Sequence, residues 1–308
     1  VLGIGSNTQI AQAVQKALDG QRVSAFGDKA DLPLNGDRVL STANYSAYLK
    51  IAEGCDNRCS FCAIPLIRGG FRSRKMEDIL EEARGLAASG VKELNLVAQD
   101  TTRYGQDLYG EYSLDKLLTE LCKIDGFHWI RVLYGYPDRV TDSLLEVMAR
   151  EPKVVKYIDL PLQHASGRVL KEMNRNGNFD SLCALMQRIR SKVPGVVLRT
   201  TLIAGFPGET EEDFEQLCEF VRAVRFERLG CFAYSQEEDT PAGEREDQVD
   251  PQVRMHRADL VMEEQMDIAF QMGKELVGKK LEVLVEGYDD EQQMYYGRSY
   301  MDAPDIDT

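Results

Sequence analysis

Gly54-Cys55-Asp56-Asn57-Arg58-Cys59-Ser60-Phe61-Cys62 is the stretch on which the reading of this chain turns. Its three cysteines stand in C-x3-C-x2-C spacing, directly behind a strand-like run over 47–53. Three thiolates on so tight a loop suit three irons of a cubane 4Fe–4S cluster. The loop offers no fourth Cys or His. One iron is then left without a protein ligand, the arrangement of a reactive metal centre and not of a closed structural one. Cys55, Cys59 and Cys62 are therefore the candidate metal ligands. Two plainer readings compete. A structural zinc site wants four ligands, usually as paired knuckles, and no second knuckle is present. A chance cluster of core cysteines fits poorly beside the polar Asp56, Asn57, Arg58 and Ser60.

Outward from this loop the chain alternates strand and helix. Further strand-like runs, short and rich in Val, Ile, Leu and aromatics, cover 93–99, 129–134, 156–162, 196–204 and 228–234. Between them lie helical patterns, such as Phe214, Leu217, Cys218, Val221 and Val224 on one face. That helix opens with a capping-box pattern at Thr210 to Asp213. Another starts at Asp250-Pro251, with Asp as cap and Pro at the first position, and runs to about 274. Six strands alternating with helices predict an α/β fold with a parallel sheet and right-handed crossovers. The length devoted to it favours a closed or partly closed barrel, a partial TIM-type (βα)6 barrel, over a flat sheet. In either case chemistry belongs at the C-terminal ends of the strands. Two further strands are expected at 279–286 and 294–300, the start of a small C-terminal β-domain that the chain does not complete. The expected parts are a lead-in over 1–44 with one helical stretch at 9–18, the barrel over 45–276, and the β-domain from 277 to 308.

Bulk properties narrow the function classes. The 308 residues bury a sizeable core, and 43% hydrophobic with 29% charged residues is ordinary for a globular protein. No apolar run is long enough to span a bilayer, and no signal-like segment opens the chain, so cytoplasmic residence without membrane contact is expected. The formal charge of −14 argues against wrapping a nucleic-acid backbone and favours a basic protein partner. Seven cysteines without secretory features point to metal or catalysis, not disulfides. Cys122, Cys183, Cys218 and Cys231, scattered over helical and strand patterns, read as small core residues.

An open iron beside a strand end is where S-adenosylmethionine (SAM) binds in a radical SAM enzyme, through its amino and carboxylate groups. The loops after later strands offer partners to it. Phe61 suits packing against the adenine ring, or simply covers the cluster. Gln99 and Asp100, after the second strand, supply acceptors for the amino group. Gln163 and His164 follow the fourth strand; a lone His there is as readily structural. Ile203 could pack on the nucleoside. Gly205 in Gly205-Phe206-Pro207-Gly208 lets backbone approach a ligand closely, or merely makes a tight turn. Arg199 could pair with the SAM carboxylate, or make a surface ion pair. His128 and His256 read as structural.

The stretch AYLKIAEGCDNRCSFCAIPLIRGGFRSR (47–74) resembles the radical SAM methylthiotransferases. The segments AQDTTRYG (98–105), LYGYP (133–137), LPLQHAS (160–166), MNR (173–175), RTTLIAGFPGET (199–210) and AYSQEEDTPA (233–242) are similar to the branch that modifies an aspartate of a ribosomal protein. The resemblance covers essentially the whole chain. It implies a radical SAM barrel, a cluster and SAM as cofactors, a C-terminal β-domain of the TRAM kind, and a basic small-subunit ribosomal protein as substrate. It implies further that a C–H bond on the aspartate β-carbon is replaced by a methylthio group. One SAM gives the methyl, another gives the radical, and a second cluster on three further cysteines relays sulfur. No cysteine precedes Cys55, so the expectation for these residues is one cluster, SAM cleavage and no completed sulfur insertion. The tRNA-modifying branch and a non-catalytic iron–sulfur or zinc module are the alternatives; the electron donor is left unassigned.

Overall fold

The computed structural model describes residues 1–36, 38–41 and 43–307. Asp37 and Thr42 of the expected lead-in, and Thr308, lie outside the described residues. The lead-in carries a 3-10 turn and helix α1 (Ile10–Leu18). Its connector lies against the body through Arg72, which donates to the carbonyls of Ala30 and Lys29 at 2.6 and 3.1 Å.

All six strands form where periodicity places them: β1 (Ser46–Lys50), β2 (Glu93–Val97), β3 (Trp129–Val132), β4 (Tyr157–Asp159), β5 (Val197–Ala204) and β6 (Arg228–Ala233). The longer helices between and after them are α2 (Met76–Ala88), α3 (Leu114–Cys122), α4 (Asp142–Arg150), α5 (Phe179–Lys192), α6 (Glu211–Val224) and α7 (Pro251–Leu276). The Thr210 capping box is made, with Asp213 as its reciprocal partner, and Asp250 caps α7 ahead of Pro251. β1–β2–β3 and β4–β5–β6 are parallel three-stranded sheets. A bridge between Ile130 and Val154 and the bond from the Gly135 N–H to the Asp159 carbonyl, at 2.9 Å, join them. The six strands thus run in chain order. Among the described residues β6 does not pair with β1, so the barrel is the partly closed form.

Alternate residues of a strand face opposite sides, and the two faces have different partners. Leu94, Leu96, Ile130, Val132, Ile158, Leu198 and Leu202 pack with helix residues such as Ile79, Leu117, Leu145, Met186, Leu217 and Val261 into the main core. The other face carries Trp129, Tyr157 and Val197, which cluster with Ala303, Tyr300, Met301 and Ile306 of the C-terminal segment. That segment follows an antiparallel pair, β7 (Val283–Asp289) and β8 (Met294–Ser299). Buried charge fastens the junction. Glu93 takes Arg131 Nε at 2.9 Å and is bonded by Arg298, whose Nε reaches Glu286 at 2.7 Å.

Candidate metal centre and cofactor cavity

The cysteine loop is shaped by its backbone and gripped from several sides. Behind β1, Ala52–Glu53 pairs antiparallel with Arg72–Ser73. Gly54 has φ +77°, and a Cβ there would lie 2.1 Å from the Gly70 carbonyl oxygen, so only glycine allows this crossing. The Cys55 N–H donates to the Gly69 carbonyl at 3.1 Å, and the Cys62 N–H to the Cys59 carbonyl at 3.0 Å. From the segment after β4, the Met173 carbonyl accepts the Ser60 N–H at 3.0 Å, and Asn174 Nδ2 donates to the Arg58 carbonyl at 2.9 Å. Asn57 Nδ2 donates to Asp100 Oδ2 at 3.0 Å.

Cys55, Cys59 and Cys62 all border one cavity of about 360 Å³ at the C-terminal ends of β1 to β4. The three are free thiols. Burial pushes the Cys55 thiol up to about 11 and raises that of Cys62 as well. Thiolates become favourable here only beside compensating cationic charge, which iron supplies while displacing the protons. Among the described residues no three His, Cys, Asp or Glu side chains are grouped so as to hold a single metal ion. A cubane makes a different demand, since each thiolate binds its own iron and the sulfurs need not converge on one point. The donor set thus fits a cluster better than a zinc ion.

The rest of the wall fits SAM. Phe61, Gln99 and Gln163 line the cavity as the sequence predicts. Gln99 Oε1, Gln163 Oε1 and Asn57 Oδ1 are buried acceptors without protein partners. Asn57 is oriented by its donation to Asp100, which leaves its oxygen as the free end. Such orphaned acceptors cost stability until a donor arrives, and an ammonium brings three. Gln163 holds φ +74° and Tyr134 φ +59°, both in the left-handed region and both at the cavity. Sequence reading missed Asn57, Tyr134, Tyr136, Pro161 and Arg175, which also line it. The segments LYGYP and MNR were the available signal.

Other expected cofactor contacts do not border the cavity, and each has a different task. Asp100 is spent on Asn57, on Arg139 at 2.7 Å, on Thr102 at 2.6 Å and on the Arg103 N–H at 3.2 Å. It supports the wall from behind. His164 is buried; its Nδ1 accepts the Ser166 N–H at 3.0 Å and its Nε2 faces Glu209 at 3.2 Å. Arg199 pairs with Asp159 at 2.8 Å and Asp307 at 3.4 Å, on the strand face turned to the C-terminal segment, so it is not free for a carboxylate of SAM. Ile203 packs on the main core. Gly205, at φ +74°, donates its N–H to Glu209, and a Cβ on it would meet Arg254 Cγ at 2.4 Å. Its freedom serves a close approach of α7, not of a ligand. Gly205→Ala is expected to destabilise the protein by about 1–3 kcal/mol in urea unfolding while leaving SAM binding unchanged; weakened SAM binding with unchanged stability would restore the ligand role.

Residues 49–221 match the radical SAM superfamily, and residues 277–308 match the TRAM domain. Over all 308 residues the chain is 52% identical to the ribosomal protein uS12 methylthiotransferase RimO of Thermoanaerobacter sp. (strain X514), covering 70% of that protein. This chain belongs to the RimO family of radical SAM methylthiotransferases. The RimO proteins of Lachnoclostridium phytofermentans and Clostridioides difficile are 49% and 46% identical over the whole chain, covering 70% and 69% of their lengths. Among solved structures, the radical SAM methyltransferase TsrM from Kitasatospora setae aligns with TM-score 0.60 at 14% identity, over 79% of this chain and 52% of TsrM. The radical SAM enzyme HemN of Escherichia coli aligns with TM-score 0.55 at 19% identity, over 74% and 52%. These likenesses show the barrel fold. A member of the RimO family is a transferase that uses a 4Fe–4S cluster and SAM. Among the described residues no helix is long and apolar enough to cross a membrane.

Proposed function

We propose that this chain is the radical SAM part of an enzyme that modifies ribosomal protein uS12, adding a methylthio group to the β-carbon of an aspartate. The identity of about half over the entire chain to proteins named for that reaction supports the substrate. The single observation that carries the radical chemistry is geometric: three free thiols and three side chains that carry buried, unpartnered acceptors line one cavity at the strand ends. When bound, the cluster and SAM supply a deoxyadenosyl radical for hydrogen abstraction. The chain's own residues do the holding. Cys55, Cys59 and Cys62 anchor the cluster. Gln99, Gln163 and Asn57 take the ammonium group of SAM. Phe61 and Tyr136 keep water from the reacting centre, where radicals would otherwise be quenched. Residues 277–308 sit beside the barrel as the part that meets the protein substrate, and residues 1–44 form a separate lead-in. The −14 charge suits a basic ribosomal protein, and residence in the cytoplasm follows from such a partner.

The test incubates the anaerobically reconstituted full-length protein with SAM, dithionite, a sulfide source and uS12, and maps the product by mass spectrometry. A methylthio increment on an aspartate of uS12 is expected. Deoxyadenosine release with uS12 unmodified, or a methylthio group appearing on tRNA instead, would overturn the assignment.

A further inference from the structure

The MNR segment (173–175) brings a buried cation to the cysteine loop. Arg175 is buried and lines the cavity. Its Nη2 donates to the Pro161 carbonyl at 2.6 Å, its Nη1 lies 3.6 Å from Cys59 Sγ, and its guanidinium covers the Tyr136 ring at 4.4 Å. Buried guanidinium groups need an anion or a full set of acceptors. Arg74, Arg131, Arg257 and Arg298, buried likewise, each face a carboxylate. Arg254 lacks one but spends its donors on the Val249 and Tyr234 carbonyls and Gln248 Oε1. Among the described residues Arg175 has no carboxylate and one oxygen acceptor; its other hydrogen-bond partner is a sulfur.

We propose that Arg175 is the counter-cation and hydrogen-bond donor to the Cys59 sulfur, and that it sets the reduction potential of the cluster. The inference rests on the reading that Cys55, Cys59 and Cys62 hold that cluster. Reduction adds negative charge to the irons and their thiolates. A fixed cation and an N–H donor at one thiolate stabilise the reduced form more than the oxidised one and raise the potential. The local fold makes donor and acceptor one unit, because Met173 and Asn174, immediately before Arg175, bond the loop at Ser60 and Arg58. Arg175 is thus a positioning and tuning residue acting through the cysteine, held in register with it.

The experiment compares reconstituted wild type, Arg175→Lys and Arg175→Met by redox titration followed by electron paramagnetic resonance, without SAM. All three are expected to hold the same iron per chain. The midpoint of R175M should move to more negative potential, with R175K between it and wild type, and dithionite should reduce a smaller fraction of the R175M cluster. Coincident midpoints would overturn the inference; if SAM binding alone then weakens in R175M, the guanidinium serves the SAM carboxylate instead. Should R175M fail to hold a cluster, wild type grown with guanidino-15N arginine decides. A nitrogen coupling to the reduced cluster that vanishes in R175K is expected, and its absence in wild type sinks the proposal. A wild type that binds no cluster defeats the three-cysteine reading itself, a result distinct from all of these.

Discussion

Cys59→Ala is expected to remove the cluster and, with it, all SAM cleavage. Reconstituted wild type should carry about four irons per chain, and the variant close to none. A three-thiolate cubane already has one iron without a protein ligand; losing a second protein ligand leaves half the corners open. The surroundings provide no substitute, since among the described residues no other Cys or His lines the cavity. Deoxyadenosine formation with dithionite should fall to background. Cys183→Ala is the control: that thiol sits on α5, half-buried against the core and away from the cavity, so iron should be unchanged. Iron retained in C59A, or one zinc per chain in wild type, would defeat the reading. The same reasoning places proton release at cluster assembly. Burial raises the Cys55 and Cys62 thiols above their ordinary range, so assembly should become faster and fuller as pH rises towards that range.

Glu93→Ala should cost about 3–5 kcal/mol of stability in urea unfolding. Glu93 and Arg131 are both 0% exposed and their ion pair measures 2.9 Å. Arg298 completes the cluster from β8. Removing the carboxylate leaves buried Arg131 without an anion and Arg298 with Glu286 alone, and the Arg131 Nη2 is already without a partner. The loss comes from uncompensated charge and not from the pair's own attraction, because desolvation consumes most of that attraction. A triple replacement, Glu93→Leu with Arg131→Met and Arg298→Leu, should therefore recover most of the stability. A loss below about 1 kcal/mol for E93A, the scale of a surface pair, would show that water reaches this junction.

Much of the architecture is local and was legible before any coordinates. Alternating apolar runs specified β1 to β6, because a strand buried on both faces needs Val, Ile and Leu whatever its neighbours are. The Thr210 to Asp213 box and Asp250-Pro251 marked helix starts, because capping uses only groups within one turn. Arg199 shows where that logic stops. It lies on a strand leading to the catalytic end, yet its side chain faces Asp159 and Asp307, a residue far along the chain.

By itself, then, the sequence determined that three thiols share one short loop behind a barrel strand, since their spacing is covalent. Only the tertiary structure decided which side chains surround them. Arg175 meets Cys59 across 116 residues of chain. Pro161, Tyr136 and Gln99 arrive at the same cavity on separate strand-end loops. A strand's period says which face a residue takes, but what stands opposite that face depends on how six strands close and what the C-terminal segment fills. Those are long-range packing outcomes, and no local pattern encodes them.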